Sequence, residues 1–364
     1  MKKLLLILFV IASLNLDAQY LTNHAKNVDT KNVDGFYYHL PRNIIRLDFV
    51  IEKEQSFKGK YSSFAKEMLN TDNYIKENNT SYRIKSVSVN TLTEADPNYV
   101  FFISASDEKT KDNINISLEL TSEGIIQSFG YKDLTVENRD NVSYEDVLDY
   151  NEKSTEYNYI SISDDEDEED DDEEGATIKV TERDIANSII EEIKKIRVAY
   201  FDLITGYQEV NYGTTINYMI EELKNLENEL LSMFLGTTNV HTYTRTFYVI
   251  PEEGKNSIVL GKFNATEGFN NKAGEIVKIN FTDSSIGANV NKLTKDDIEN
   301  TTYTNKLFYR NPADVTMQVM LGENKISENR LTINQLGNVI LVPINKIKLV
   351  FDTCTGQILS IIKE

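Results

Sequence analysis

Three histidines, one cysteine and a large surplus of carboxylates are the side chains here with the most chemistry to offer. His24, His39 and His241 lie far apart, with no His, Cys or Glu at the spacing of a metal site. Cys354 falls in an apolar run near the C-terminus and reads as a small buried hydrophobe; as the single cysteine it can close no intramolecular disulfide. Asp164 to Glu174 is an unbroken run of eleven acidic residues. A calcium loop needs its acids at alternate positions with a glycine at the sharp turn, whereas Gly175 comes only after this run. Glu252-Glu253-Gly254-Lys255 contains a Gly-Lys pair but lacks the first glycine of a phosphate loop, and no G-x-S-x-G elbow or G-x-G-x-x-G turn occurs. The residues therefore imply no cofactor, no metal and no catalytic motif. Paired carboxylates of the glycosidase kind meet in space and leave no spacing signal, so a hydrolase stays open. Without Trp, sugar stacking would fall to the twenty tyrosines.

The net charge of −20 divides unevenly, because more than half of it sits in the acidic run. Such a block repels itself and buries no apolar surface, so it reads as a solvated linker. What remains is still acidic and has no basic clusters, which argues against nucleic acid and anionic lipid as partners. Met1-Lys2-Lys3 followed by the apolar stretch Leu4 to Leu14 has the form of a secretory signal, with the cut expected after Ala18. No Cys follows for lipid attachment, and no later stretch reaches the roughly 20 apolar residues of a membrane span. The mature chain is expected to be exported.

The elements that would position any site fall into three groups. Thr181 and Asp184 form a capping box ahead of Ile185, Ile189, Ile193, Ile196, Tyr200 and Leu203, and Gly206 closes that helix. A second helix from Thr214 to Gly236 carries Ile216, Met219, Leu223, Leu226, Leu230 and Phe234; each would span roughly 22 residues, about 33 Å. Together they predict an antiparallel helical hairpin. Arg197 lies near its buried face, where its stem packs and its head reaches a carboxylate or a helix end. Before the hairpin, Ile45, Leu47, Phe49 and Ile51 alternate as a strand; Tyr61, Phe64, Ala65, Met68 and Leu69 mark a short helix. Strands follow at Tyr82–Val89, Tyr99–Ala105, Ile114–Leu120 and Ile125–Phe129, with Asp96-Pro97 as a turn. After the hairpin, nine short strands recur every 8–12 residues between Thr246 and Ile362. The expected class is α+β: signal 1–18, polar leader 19–34, an N-terminal α+β domain over 35–138, an acidic linker over 139–176, the hairpin over 177–240 and a β-sandwich-like domain over 241–364.

Two echoes run through the β-rich parts. An aromatic-Tyr pair precedes Pro by two residues at Tyr37-Tyr38-x-x-Pro41, Phe247-Tyr248-x-x-Pro251 and Phe308-Tyr309-x-x-Pro312. A strand–Gly turn–strand pattern recurs at Leu118 to Ile126 and at Leu349 to Leu359. These read either as a duplicated β-module split by the hairpin or as recurrent edge-strand chemistry.

Ile193-x-x-Ile196-Arg197 with Thr205-Gly206, Leu226-Glu227 with Gly236, the opening Tyr38-x-Leu40-Pro41, Asp96-Pro97, Gln335-x-Gly337-x-Val339-x-Leu341-x-Pro343 and Thr355-Gly356 together resemble a Bacteroidota family of exported proteins known as a domain of unknown function, DUF4831. The resemblance spans nearly the whole mature chain. It implies export in a diderm bacterium, to the periplasm or the cell surface, and brings no activity with it. It marks Tyr38, Pro41, Arg197, Gly206, Glu227, Gly236, Gly337 and Pro343 as signature positions with structural roles. Tyr200 stands where the family is expected to carry a second arginine. The leading expectation is a non-enzymatic envelope protein that binds or assembles with another envelope protein, ahead of a glycan- or ligand-binding module and a carboxylate hydrolase.

Overall fold

The computed structural model describes residues 20–28, 34–105, 116–131, 181–206, 213–283 and 293–363. The expected signal and the acidic run lie outside them. Contacts divide the chain into two compact units, one of Met1–Ser56, Asn78–Thr135 and Thr238–Glu364, the other of Phe57–Glu77 and Val136–Thr237.

The first unit is built from antiparallel strands. In chain order these are β1 (Tyr20–His24), β2 (Gly35–Phe57), β3 (Asn79–Ala105), β4 (Ile116–Leu120), β5 (Ile126–Tyr131), β6 (Thr237–Val249), β7 (Ser257–Asn264), β8 (Gly268–Asn270), β9 (Glu275–Asp283), β10 (Tyr303–Thr304), β11 (Lys306–Leu321), β12 (Asn324–Pro343), β13 (Ile347–Phe351) and β14 (Ile358–Lys363). They form three sheets, ordered β10-β1-β3-β2-β6, β12-β11-β9-β7-β8 and β14-β13-β5-β4. Strands from both ends of the sequence share two of these sheets, so the expected separate β domains over 35–138 and 241–364 are interleaved. Alternation tells a strand which face to bury but not which strand to pair with, and the pairing here is made across most of the chain.

Two apolar clusters hold this unit. In the first, Tyr38, Leu40, Phe101 and Ile103 pack with Leu307, Phe308, Leu349, Phe351 and Phe129. In the second, the alternating Ile45, Leu47, Phe49 and Ile51 of β2 pack on Val277, Ile279, Val315, Met317 and Val319. The alternation on β2 is thus the face of one sheet closing on another.

The two long hairpins, β2–β3 and β11–β12, each run through both clusters and change register at the passage. His39 pairs with Val100, but Pro41 pairs with Ala95, so Asp96 to Tyr99 bulge from β3 opposite one residue. Asn311 pairs with Asn338, but Ala313 pairs with Ile333, so Asn334 to Gly337 bulge from β12 opposite Pro312. Pro312, which offers no N–H to a ladder, stands opposite the second bulge, and Pro41 is the residue next to the first. Asp96-Pro97, read from sequence as a turn, is therefore a bulge inside one continuous strand. The short hairpins also correspond: β4–β5 slips register between Glu119 and Leu120, β13–β14 between Val350 and Phe351. Two of the three aromatic-Tyr-x-x-Pro segments and both Gly-turn segments occupy matching places, which favours a duplicated module. The third, at Pro251, lies beyond the end of β6.

In the second unit, a 3₁₀ turn (Ser62–Phe64) leads into α1 (Ala65–Leu69), and two longer helices follow, α2 (Glu182–Thr205) and α3 (Ile216–Leu235). Thr181 and Asp184 form the capping box of α2, and Gly206 ends it in a left-handed conformation. Tyr61, Ala65, Ala186, Ile193 and Phe234 form the core, so the short helix expected within the N-terminal β domain packs with the helices instead. Gly236 lets the end of α3 meet the chain closely, since a Cβ there would lie 2.4 Å from the Phe57 carbonyl oxygen. Tyr61 N–H donates to the Met233 carbonyl at 2.7 Å and Ile75 N–H to that of Leu235 at 2.9 Å, fixing residues 57–77 on α3.

Candidate functional site

The two bulges meet at the seam between the clusters, and a buried ion pair forms there. Arg310, on β11 between Tyr309 and Pro312, is 2% exposed. Its Nη2 donates to Asp96 Oδ2 at 2.6 Å, and its guanidinium carbon lies 4.6 Å from the centre of the Tyr99 ring. The bulge of β3 therefore supplies both the counter-charge and the aromatic face. Burial pushes the Arg310 guanidinium below its ordinary value, and the Asp96 carboxylate opposes that shift. Arginine's ordinary value is high enough that the group stays cationic in proteins. Nε and Nη1 of Arg310 are buried and meet no acceptor among the described residues.

A bulge strips backbone groups of their ladder partners, and side-chain amides replace them here. Gln335 accepts from Asn43 N–H at 2.9 Å and donates to the Asn43 carbonyl at 2.7 Å, acting as a strand partner made of one side chain. Asn43 Oδ1 accepts from Asn334 N–H at 2.7 Å, and Asn334 Nδ2 donates to the Cys354 carbonyl at 2.7 Å. Thr93 Oγ1 donates to the same carbonyl at 3.2 Å. The network ties both long hairpins to the β13–β14 turn.

A cavity of about 270 Å³ opens on this seam, lined by Arg310, Tyr99, Gln335, Gly337 and Val339. Leu293, Glu253 and the short helix α4 (Lys295–Asn300) supply the rest of its wall, through Thr294, Lys295 and Ile298. Gly337 is needed for the return of the bulge, since a Cβ would stand 2.0 Å from the Asn311 carbonyl oxygen and 2.6 Å from Pro312. Gly337→Ala is expected to lower the stability of the β unit by about 1–3 kcal/mol through that overlap, read as a lower urea midpoint.

The signature positions are partly gathered at this seam. Tyr38 is wholly buried; its hydroxyl accepts from Phe308 N–H at 3.0 Å, and desolvation pushes its ionisation far upward. Pro41 lies against Gly356, whose turn also meets the Arg310 stem. Pro343 is exposed at the end of β12. Arg197, Gly206, Glu227 and Gly236 belong to the helical unit, where Arg197 Nε lies 2.6 Å from Glu227 Oε1. Glu191 pairs with Lys194 at 2.7 Å.

Cys354, expected to be buried, is exposed: it belongs to the turn between β13 and β14 and contributes its carbonyl rather than its thiol. His24 Nε2 lies 3.0 Å from the Asn98 carbonyl, His39 stands by the turn at Gly124, and His241 is exposed on β6. Among the described residues no three His, Cys, Asp or Glu gather as a metal site, and no helix is long and apolar enough to cross a membrane. The buried carboxylates Asp48, Glu52 and Asp96 are each engaged by an arginine, Arg46, Arg83 and Arg310. Sequence reasoning missed Arg310 itself. The signal available was a cation directly after the apolar run Leu307-Phe308-Tyr309, in the same place as His39 in the first aromatic-Tyr-x-x-Pro segment.

No curated protein and no solved structure matches the chain. Residues 34–359 match the family described as Domain of unknown function (DUF4831), and the protein belongs to that family.

Proposed function

We propose that the mature protein is an exported, non-enzymatic component of the cell envelope that binds another envelope protein through α2 and α3, folded back as a helical hairpin. The observation that carries this reading is the apolar surface the two helices leave uncovered. Val198, Phe201 and Ile204 follow one another in steps of three on α2 and are exposed, as are Tyr218 and Leu226 on α3. The core of that unit uses Ala186, Ile193, Leu203 and Phe234 instead. Large exposed apolar side chains concentrated on one element mark interaction surfaces more often than scattered ones do. The secretory form of the first eighteen residues supports export. The glycan and hydrolase readings have less behind them. Exposed Tyr37, Tyr218 and Tyr248 stand on three different elements, and the buried carboxylates are held in ion pairs.

Capture of the tagged mature protein with cross-linking from its own envelope fraction tests the proposal. Phe201 and Leu226 are 61% and 47% exposed, so Phe201→Asp and Leu226→Asp are expected to keep the wild-type circular dichroism and melting temperature. A reproducible partner should be lost in both variants. Co-purification of nothing, or of the same partner by both variants, removes the proposal.

A further inference from the structure

The cavity at Arg310 is independent of the helical surface and has the makings of a ligand site. Burying a polar group without a partner is costly, and more so for a charged one. Arg310 carries two such donors, Nε and Nη1, and is itself one of the residues that line the cavity. Its third nitrogen, Nη2, is held by Asp96 and its face by Tyr99, so the side chain is fixed before anything binds. The supporting amides are also committed: Gln335 is spent on the Asn43 backbone. Around the guanidinium the wall is mixed, with Leu293, Ile298, Val339 and the Tyr99 ring standing among Gln335, Thr294, Lys295 and Glu253. A fixed cationic donor group with limited apolar surface beside it suits a small polar ligand that a few placed polar atoms orient.

We infer that the Arg310 cavity binds a small organic monocarboxylate, whose oxygens accept from the free guanidinium N–H groups while its apolar body lies on Leu293, Ile298, Val339 and Tyr99. The volume lies just below the range of roughly 300–1,000 Å³ typical of drug-sized ligands, which sets the occupant near the size of an amino acid. Two features disfavour a phosphate. Asp96 already balances the single charge of the arginine, and the Glu253 carboxylate shares the wall. A dianion would meet more repulsion there than a monoanion, and the other donors of the wall, Thr294 and Lys295, already face Asp297 and Glu299.

Thermal unfolding of the mature chain against aliphatic and aryl monocarboxylates, their amides and alcohols, and inorganic phosphate tests the assignment. At least one monocarboxylate should raise the melting temperature saturably. The matching amide and alcohol should bind about tenfold more weakly or less, because they lose the charge-assisted bond. The shift should vanish in Leu293→Trp, which fills the cavity without touching the ion pair, and in the double variant Arg310→Met/Asp96→Asn, which removes it. If the double variant does not fold, Leu293→Trp alone decides. The inference is overturned if no monocarboxylate gives a saturable shift, if the neutral analogues match the acid, if phosphate alone binds, or if the shift survives Leu293→Trp.

Discussion

Asp96→Ala is expected to destabilise the β unit by about 3–5 kcal/mol, the cost of leaving a buried charge without its partner. The expectation rests on asymmetry. The Asp96–Arg310 pair as a whole contributes little, because desolvating both groups consumes most of their attraction. Removing the carboxylate alone strands a guanidinium that is 2% exposed and already has two nitrogens, Nε and Nη1, without acceptors among the described residues. Tyr99 holds the ring face but offers no full charge. Urea unfolding should therefore show a lower midpoint with an unchanged slope in the transition of the β unit. Arg310→Met/Asp96→Asn should recover most of the loss, to within about 1.5 kcal/mol of wild type, since an apolar side chain of similar volume then faces a neutral amide. A loss below about 1 kcal/mol in Asp96→Ala would mean that water reaches the guanidinium freely, and a cavity so wet would also weaken the case for a carboxylate there.

That pair shows where the sequence was legible and where it was not. Local signals could be read because their physics is local. The Thr181–Asp184 capping box, the left-handed Gly206 and the alternation of Ile45 to Ile51 need only neighbouring residues, and each appears in the structure. The pair of Asp96 with Arg310 joins residues 214 apart, and no periodicity encodes such a meeting. The bulges misled for a related reason. Asp96-Pro97 has the chemistry of a turn, yet here it reverses nothing; it steps the register of β3 so that one strand can serve two clusters. The helices were located correctly but their faces less so. Ile185 and Leu226 fit the apolar stripe and are exposed, while Ala186 is buried, because the segment 57–77 packs on α3 and shifts the contact face. Interleaving of the sheets was invisible for the same reason as the ion pair. The duplicated segments were the one long-range signal the sequence did carry, and they mark the residues on which the two long hairpins change register.

Phe101→Ala should cost about 3–5 kcal/mol, the typical loss for a fully buried phenylalanine truncated to alanine. Its ring is the centre of an aromatic group rather than one contact among many. Phe308 stacks on it with centroids 4.2 Å apart, Tyr38 stacks at 5.5 Å, and His24 meets it edge-on at 5.6 Å. Tyr38 and Phe308 are also joined by a hydrogen bond, so the gap left by Phe101 cannot close by simple collapse without disturbing the Phe308 backbone. Phe101→Leu, which keeps most of the volume, should cost less than half as much, and the difference between the two variants measures how rigidly the aromatic group is held. The position has a functional reading as well. Phe101 and Phe308 flank the two bulges, two residues from Tyr99 and from Arg310 respectively, so loosening their stack frees both the ring and the cation that wall the cavity. In Phe101→Leu, the melting-temperature shift produced by a monocarboxylate should therefore shrink while the protein stays folded. An undiminished shift would show that the bulges hold the arginine without help from the core beneath them.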